Sequence, residues 1–157
     1  MAKHPSWTHR FLSEADFDSI TRAIRAAESR TSAEIRVHLD RHVPRTLLVG
    51  RRPDVLARAR HVFHRLGMHR TRERHGVLVY VAVEDRRLAV VGDEGIHGRV
   101  GDPHWDRVRD VMVDRLRANA PREAIERAVE ELGRVLAEHY PRRPDDENEL
   151  PDEVSVS

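Results

Sequence analysis

The sequence predicts an α/β protein built as a three-layer α/β/α sandwich, and three observations carry that prediction. Residues Gly76 to Val83 are apolar at nearly every position and rich in β-branched side chains, the pattern of a strand covered on both faces. Four polar residues, Glu84 to Arg87, separate this run from a second one starting at Leu88, which makes the pair a hairpin. A strand and a helix precede the hairpin, so the first two strands are joined by a right-handed parallel crossover. The sheet is therefore small and mixed, with one parallel crossover, one antiparallel hairpin and helices on both faces.

Taken in order, residues 1–12 read as a flexible lead-in, 13–141 as one domain, and 142–157 as an acidic tail without periodicity. Ser13 is a good N-cap with Asp16 three residues on, and Leu12 and Phe17 stand where a hydrophobic staple places them. Phe17, Ile20, Ile24 and Ala27 recur at helical spacing up to about Ser29. Ile35, Val37 and Leu39 alternate with Glu34, Arg36 and His38, the signature of a half-exposed strand. Residues 42–52 read as a loop, and Pro53 suits the first turn of a second helix. That helix carries Val55, Leu56, Ala59, Val62, Phe63 and Leu66, with Gly67 as its stop. After the hairpin comes a loop with glycine at positions 92, 95, 98 and 101. Asp102-Pro103 then opens a third helix bearing Trp105, Val108, Met112 and Leu116. Pro121 opens a fourth, with Ile125, Ala128, Val129, Leu132, Leu136 and Tyr140 on one face.

Composition narrows the function. At 157 residues the chain is long enough for one real core, and its 35% of charged residues gives a heavily solvated surface. No run approaches the roughly 20 apolar residues of a membrane span. The first ten residues lack the apolar centre of a signal peptide, and with no cysteine the chain has neither disulfides nor thiolate sites. The expected location is cytoplasmic. Eleven arginines between Arg36 and Arg74 face only Asp40, Asp54 and Glu73. No recognition motif accompanies them and aromatics for stacking are few, so nucleic acid is not the expected partner.

Chemistry concentrates where the topology gathers acid. Parallel first and second strands place Glu34 beside His75-Gly76, and the antiparallel third strand delivers Asp93, Glu94 and the glycine loop to the same end. Asp102 follows from that loop. Glu34, Asp93, Glu94 and Asp102 thus form a candidate set for a hard divalent cation, Ca²⁺ or Mg²⁺, which binds carboxylate and carbonyl oxygens. The bland alternative is that each carboxylate caps or solvates a loop end. The glycine spacing fits neither a P-loop nor a dinucleotide fingerprint. Among the eleven histidines, His97 in the glycine loop is the candidate general acid or extra ligand. His61 and His64, one turn apart with no third ligand in view, read as surface residues. No Ser-His-Asp arrangement can be argued.

The segments Thr31-Ser-Ala-Glu-Ile-Arg-Val37, Gly76–Arg87, Gly92-Asp-Glu-Gly-Ile-His97, Val100-Gly-Asp-x-x-Trp105 and Asn148–Val154 together resemble the TPM domain family. That family includes thylakoid-lumen, phosphatase-like proteins linked to photosystem II repair, and the likeness is to its small soluble bacterial branch. The resemblance covers about Asp16 to the tail. It implies an α/β/α sandwich with a divalent-cation site, usually described with calcium, in an acidic pocket at one sheet end. Carried over by position, its ligands are Glu34, Asp93, Glu94 and Asp102. This chain departs from the pattern at His75, where relatives often place Asn or Asp, and at Gly92-Asp-Glu-Gly95. Two functions follow as expectations: metal-assisted, acid phosphatase-like hydrolysis of phosphomonoesters, or a non-catalytic, metal-stabilised module that binds a protein partner in quality control or assembly.

Overall fold

The computed structural model describes residues 4–44, 48–49, 52–70, 75–93, 96, 102–143 and 154–157, with backbone alone at 48–49, 52–53 and 102–104. Its elements are α1 (Glu14–Glu28), β1 (Glu34–Asp40), β2 (Leu48–Val49), β3 (Arg52–Pro53), α2 (Val55–Arg65), β4 (Gly76–Ala82), β5 (Arg87–Gly92), α3 (Asp102–Arg117), α4 (Pro121–His139) and β6 (Ser155–Val156). The main sheet has the order β5-β4-β1-β6. β4 runs parallel to β1 from Glu34↔Gly76 to Asp40↔Ala82, and antiparallel to β5 from Val77↔Gly92 to Ala82↔Arg87. The crossover and the hairpin expected from the sequence are both present, and the fold is the mixed α/β sandwich.

Strand alternation divides the core in two. Ile35, Val37 and Leu39 of β1 and Val77, Val79 and Val81 of β4 pack with Phe17, Ile24, Val108, Met112, Ile125 and Leu132 of α1, α3 and α4. Leu78, Tyr80, Ala82 and Ala89 face the other way, onto Ala59, Val62 and Phe63 of α2 and onto Met68. The helix stripes read from the sequence are largely the ones that are buried, except that Leu56 of α2 is 40% exposed and Val55, Leu66 and Leu116 are only partly covered.

Local chemistry accounts for the helix ends. Ser13 accepts from the Asp16 amide while Asp16 accepts from the Ser13 amide, a complete capping box. Gly67 follows the end of α2 at φ 74°, a left-handed backbone suited to glycine. Pro53 does not enter α2: it pairs with Leu48 in the short β2–β3 ladder, and Asp54 caps the helix by accepting from the Ala57 amide. Where α1 crosses α4, a Cβ on Gly133 would come 2.7 Å from the Ala27 Cβ, so the contact depends on a missing side chain.

Three expectations need correction. β1 is not half-exposed, because α2 and the chain's last residues cover its polar face and only Arg36 is more than slightly accessible. Residues 6–10 form a 3-10 helix with Thr8 buried, and Trp7 and Phe11 pack against the larger core. The tail is not uniformly without structure: Ser155 and Val156 pair with His38 and Leu39 as a fourth, parallel strand.

Candidate functional site

The acidic rim is built by register. The Glu34 amide donates to the His75 carbonyl at 3.0 Å, and Glu34 pairs with Gly76. On the other side of β4, the Asp93 amide donates to the Gly76 carbonyl at 2.9 Å and continues the β5 ladder by one residue. Glu34 and Asp93 therefore flank the first residue of β4 at one end of the sheet. They also share a face. Glu34 alternates with Ile35, which faces the larger core, and Asp93 continues the row of Ala89 and Val91, which packs toward α2. Both side chains are buried, at 5% and 7% exposure.

A third oxygen stands between them. The 3-10 turn Met68–Arg70 passes over β4, and the Met68 carbonyl oxygen lies 3.3 Å from where a Cβ on Gly76 would sit. Any larger residue at position 76 would fill that space. Two buried carboxylates and a carbonyl over a glycine are the donor chemistry of a hard cation. Of the other predicted ligands, Asp102 opens α3 but only its backbone is described, and Glu94 lies outside the described residues, as does His97. Among the described residues no three His, Asp or Glu side chains already enclose a point where a metal ion would fit.

The other end of the same face holds a polar cluster that the sequence did not announce. Asp40 ends β1 and is 3% exposed. Its Oδ2 accepts from Arg58 Nε at 2.8 Å and from the Tyr80 hydroxyl at 2.5 Å. Its Oδ1 accepts from the Ser157 hydroxyl and, at 3.4 Å, from Arg58 Nη2. His38 lies alongside, with Nδ1 2.7 Å from Ser155 Oγ and Nε2 2.7 Å from Ser157 Oγ. With the Ser157 hydroxyl committed to Asp40, Nε2 is the donor to Ser157. Burial works against ionisation of Asp40, yet the hydrogen bonds from His38, Arg58, Ser157 and Tyr80 outweigh it and hold the carboxyl well below the usual range. Burial, and then the bond to Asp40, push the Tyr80 phenol far above its ordinary value.

Serine, histidine and aspartate thus meet here, but not as a nucleophilic triad. Ser157 and Asp40 both approach Nε2, at 2.7 and 3.4 Å, which rules out Ser157, because a triad needs the two on opposite ring nitrogens. Ser155 stands 2.7 Å from Nδ1 on the opposite side of the ring, so for it burial decides. His38 is only 1% exposed, so no substrate reaches it. The cluster is a sealed, satisfied network that ties β1, β4, α2 and β6 together. The signal that could have found it is three polar residues, His38, Asp40 and Tyr80, on strands otherwise destined for burial.

Comparison with known proteins agrees with this architecture. The family model for the TPM domain matches residues 8–135. The NMR structure of BA42 protein from the psychrophilic bacterium Bizionia argentinensis superposes with a TM-score of 0.83 at 37% identity, over 94% of this chain and 96% of that one. The N-terminal domain of the cg2496 protein from Corynebacterium glutamicum gives 0.61 at 14% identity, over 87% and 86%. The N-terminal domain of a P. gingivalis protein gives 0.66 at 17%, over 85% and 82%. These last two likenesses concern the fold alone. No functionally curated protein matches the chain. No helix among the described residues is long and apolar enough to cross a membrane. With the family model spanning most of its length and the BA42 fold matching nearly end to end, the chain belongs to the TPM domain family.

Proposed function

We propose that this domain binds a hard divalent cation, Ca²⁺ or Mg²⁺, at the rim where β1, β4 and β5 meet. Glu34 and Asp93 would hold it, with Glu94 and Asp102 completing the set from the loop and the start of α3. The observation that carries this reading is the convergence of two buried carboxylates around Gly76, beneath the Met68 carbonyl. A cation between two buried carboxylates on one face would be attracted by both. Bound there, the cation would neutralise charge on a phosphoryl group. On the catalytic version of this reading His97 is the proton donor in phosphomonoester hydrolysis. Titration of Ca²⁺ and Mg²⁺ followed by amide NMR tests the proposal. Shifts should centre on Glu34, Gly76 and Asp93, and Glu34→Gln or Asp93→Asn should weaken binding by about tenfold or more. Shifts elsewhere, or unchanged affinity in both variants, would remove the site. Phosphatase assays with and without the cation, on the parent and His97→Ala, decide whether the binding serves catalysis.

One observation favours the non-catalytic reading. Among the described residues β5 has a single strand partner, and beside it α2 and α3 enclose a cleft of about 480 Å³. Leu56, Trp105 and Val90 line it, with Arg60 and Arg109 among the lining residues. An open edge with apolar walls and two cations suits an extended acidic peptide added as a further strand. Trp105 emission and β5 amide shifts on titrating such a peptide would show it, and silence in both would exclude it.

A further inference from the structure

Two histidines that sequence spacing leaves apart meet beside the rim. His64 projects from the last turn of α2 and is exposed, while His69 comes from the 3-10 turn Met68–Arg70. Their ring centroids lie 4.8 Å apart with the planes inclined by 31°. His64 Nδ1 is 2.9 Å from the Arg60 carbonyl oxygen. A carbonyl only accepts, so Nδ1 carries the proton and Nε2 keeps its lone pair. That is the arrangement by which proteins prepare an imidazole for a metal, with the far nitrogen tied to the backbone. His69 Nδ1 is buried and has no hydrogen-bond partner. Both rings line a cavity of about 320 Å³ whose wall also includes Asp93 and Phe63.

We propose that His64 and His69 bind a borderline-soft divalent transition cation, with Zn²⁺ as the reference ion and Asp93 as the carboxylate on the same cavity wall. The donor set decides the ion. Neutral imidazole nitrogens suit Zn²⁺, Cu²⁺ or Ni²⁺, whereas Ca²⁺ and Mg²⁺ require oxygen. Two imidazoles whose centroids are this close can share one ion once their side chains rotate to bring a nitrogen of each onto it. Three donors do not already surround one point among the described residues, so Asp93 or water completes the coordination. Arg60 also lines the cavity, and its charge weakens the site. The proposal does not depend on the hard-cation reading, because its principal ligands are nitrogens that reading does not use.

The test is calorimetric titration of Zn²⁺ into the full chain in a large excess of Mg²⁺, with long-range ¹H–¹⁵N spectra of the imidazoles. One saturable site should appear, with the His64 Nε2 and His69 ring nitrogens shifting first. His64→Ala and His69→Ala should each weaken it by about tenfold or more, and Arg60→Gln should tighten it. His64 is exposed, so its variant tests the idea without disturbing the fold. Absence of saturable Zn²⁺ binding, or equal affinity in the double variant, overturns the proposal. Ca²⁺ titrations of Glu34→Gln read the rim site separately.

Discussion

Asp40 accepts hydrogen bonds or charge from His38 of its own strand, Arg58 of α2, Tyr80 of β4 and Ser157 beyond β6. Replacing it with alanine leaves a buried guanidinium and phenol without their acceptor, and should cost about 3–5 kcal/mol in denaturant unfolding. The carboxyl titrates below its unfolded value near pH 4, so its stabilisation is complete above that pH and is lost as pH falls toward the folded value. The parent's denaturant midpoint should therefore begin to drop below about pH 5 and keep falling through about pH 3 toward the folded value, with a shallower fall in Asp40→Asn. An identical fall in both would assign acid sensitivity to other carboxyls. Ser157→Ala removes one donor to Asp40 and should cost about 1–2 kcal/mol. Polar residues on buried strands hint at such a cluster, but its partners are not legible from residues alone. Arg58 is one of eleven arginines in its region, and Ser157 is 117 residues from Asp40, so no local spacing links them.

Elements were more legible, because each is set by local chemistry. The Ser13 cap, the Gly67 stop and the stripes of α1, α2, α3 and α4 depend on residues within a few positions of one another. β1 departs from its sequence pattern for the converse reason. Alternation reports which side chains are polar, but not that a helix and a distant strand will cover them. The α1–α4 crossing gives a sharp prediction at this scale. Gly133→Ala sets two β-carbons 2.7 Å apart, so the helices must separate. Thermal unfolding should show a loss of about 1–3 kcal/mol, although alanine is the better helix former. A gain would mean that the crossing opens without strain.

At the scale of the whole molecule, the topology located the rim. A parallel crossover followed by a hairpin returns the chain to the end of the sheet where β1 begins, whatever the side chains do. That is why Glu34 and Asp93 could be paired from strand order alone. The His64–His69 contact could not, since it depends on how a short turn folds back beside α2. A cation that binds only the folded state must also stabilise it. At a concentration about a hundredfold above its dissociation constant it should add about 2.7 kcal/mol. Glu34→Gln, binding about tenfold more weakly or worse, should remove about half of that gain or more, and an equal thermal shift in the variant would detach the stabilisation from the rim.

β6 carries a consequence for biosynthesis. His38 leaves the ribosome 117 residues before Ser155, which at typical elongation rates is roughly ten seconds. Throughout that interval the nascent β1 offers a bare outer edge and an imidazole without its serine contacts. Addition of β6 to the sheet therefore cannot precede synthesis of Ser155, and until then the outer edge of β1 is open to pairing with a neighbour on the same polysome.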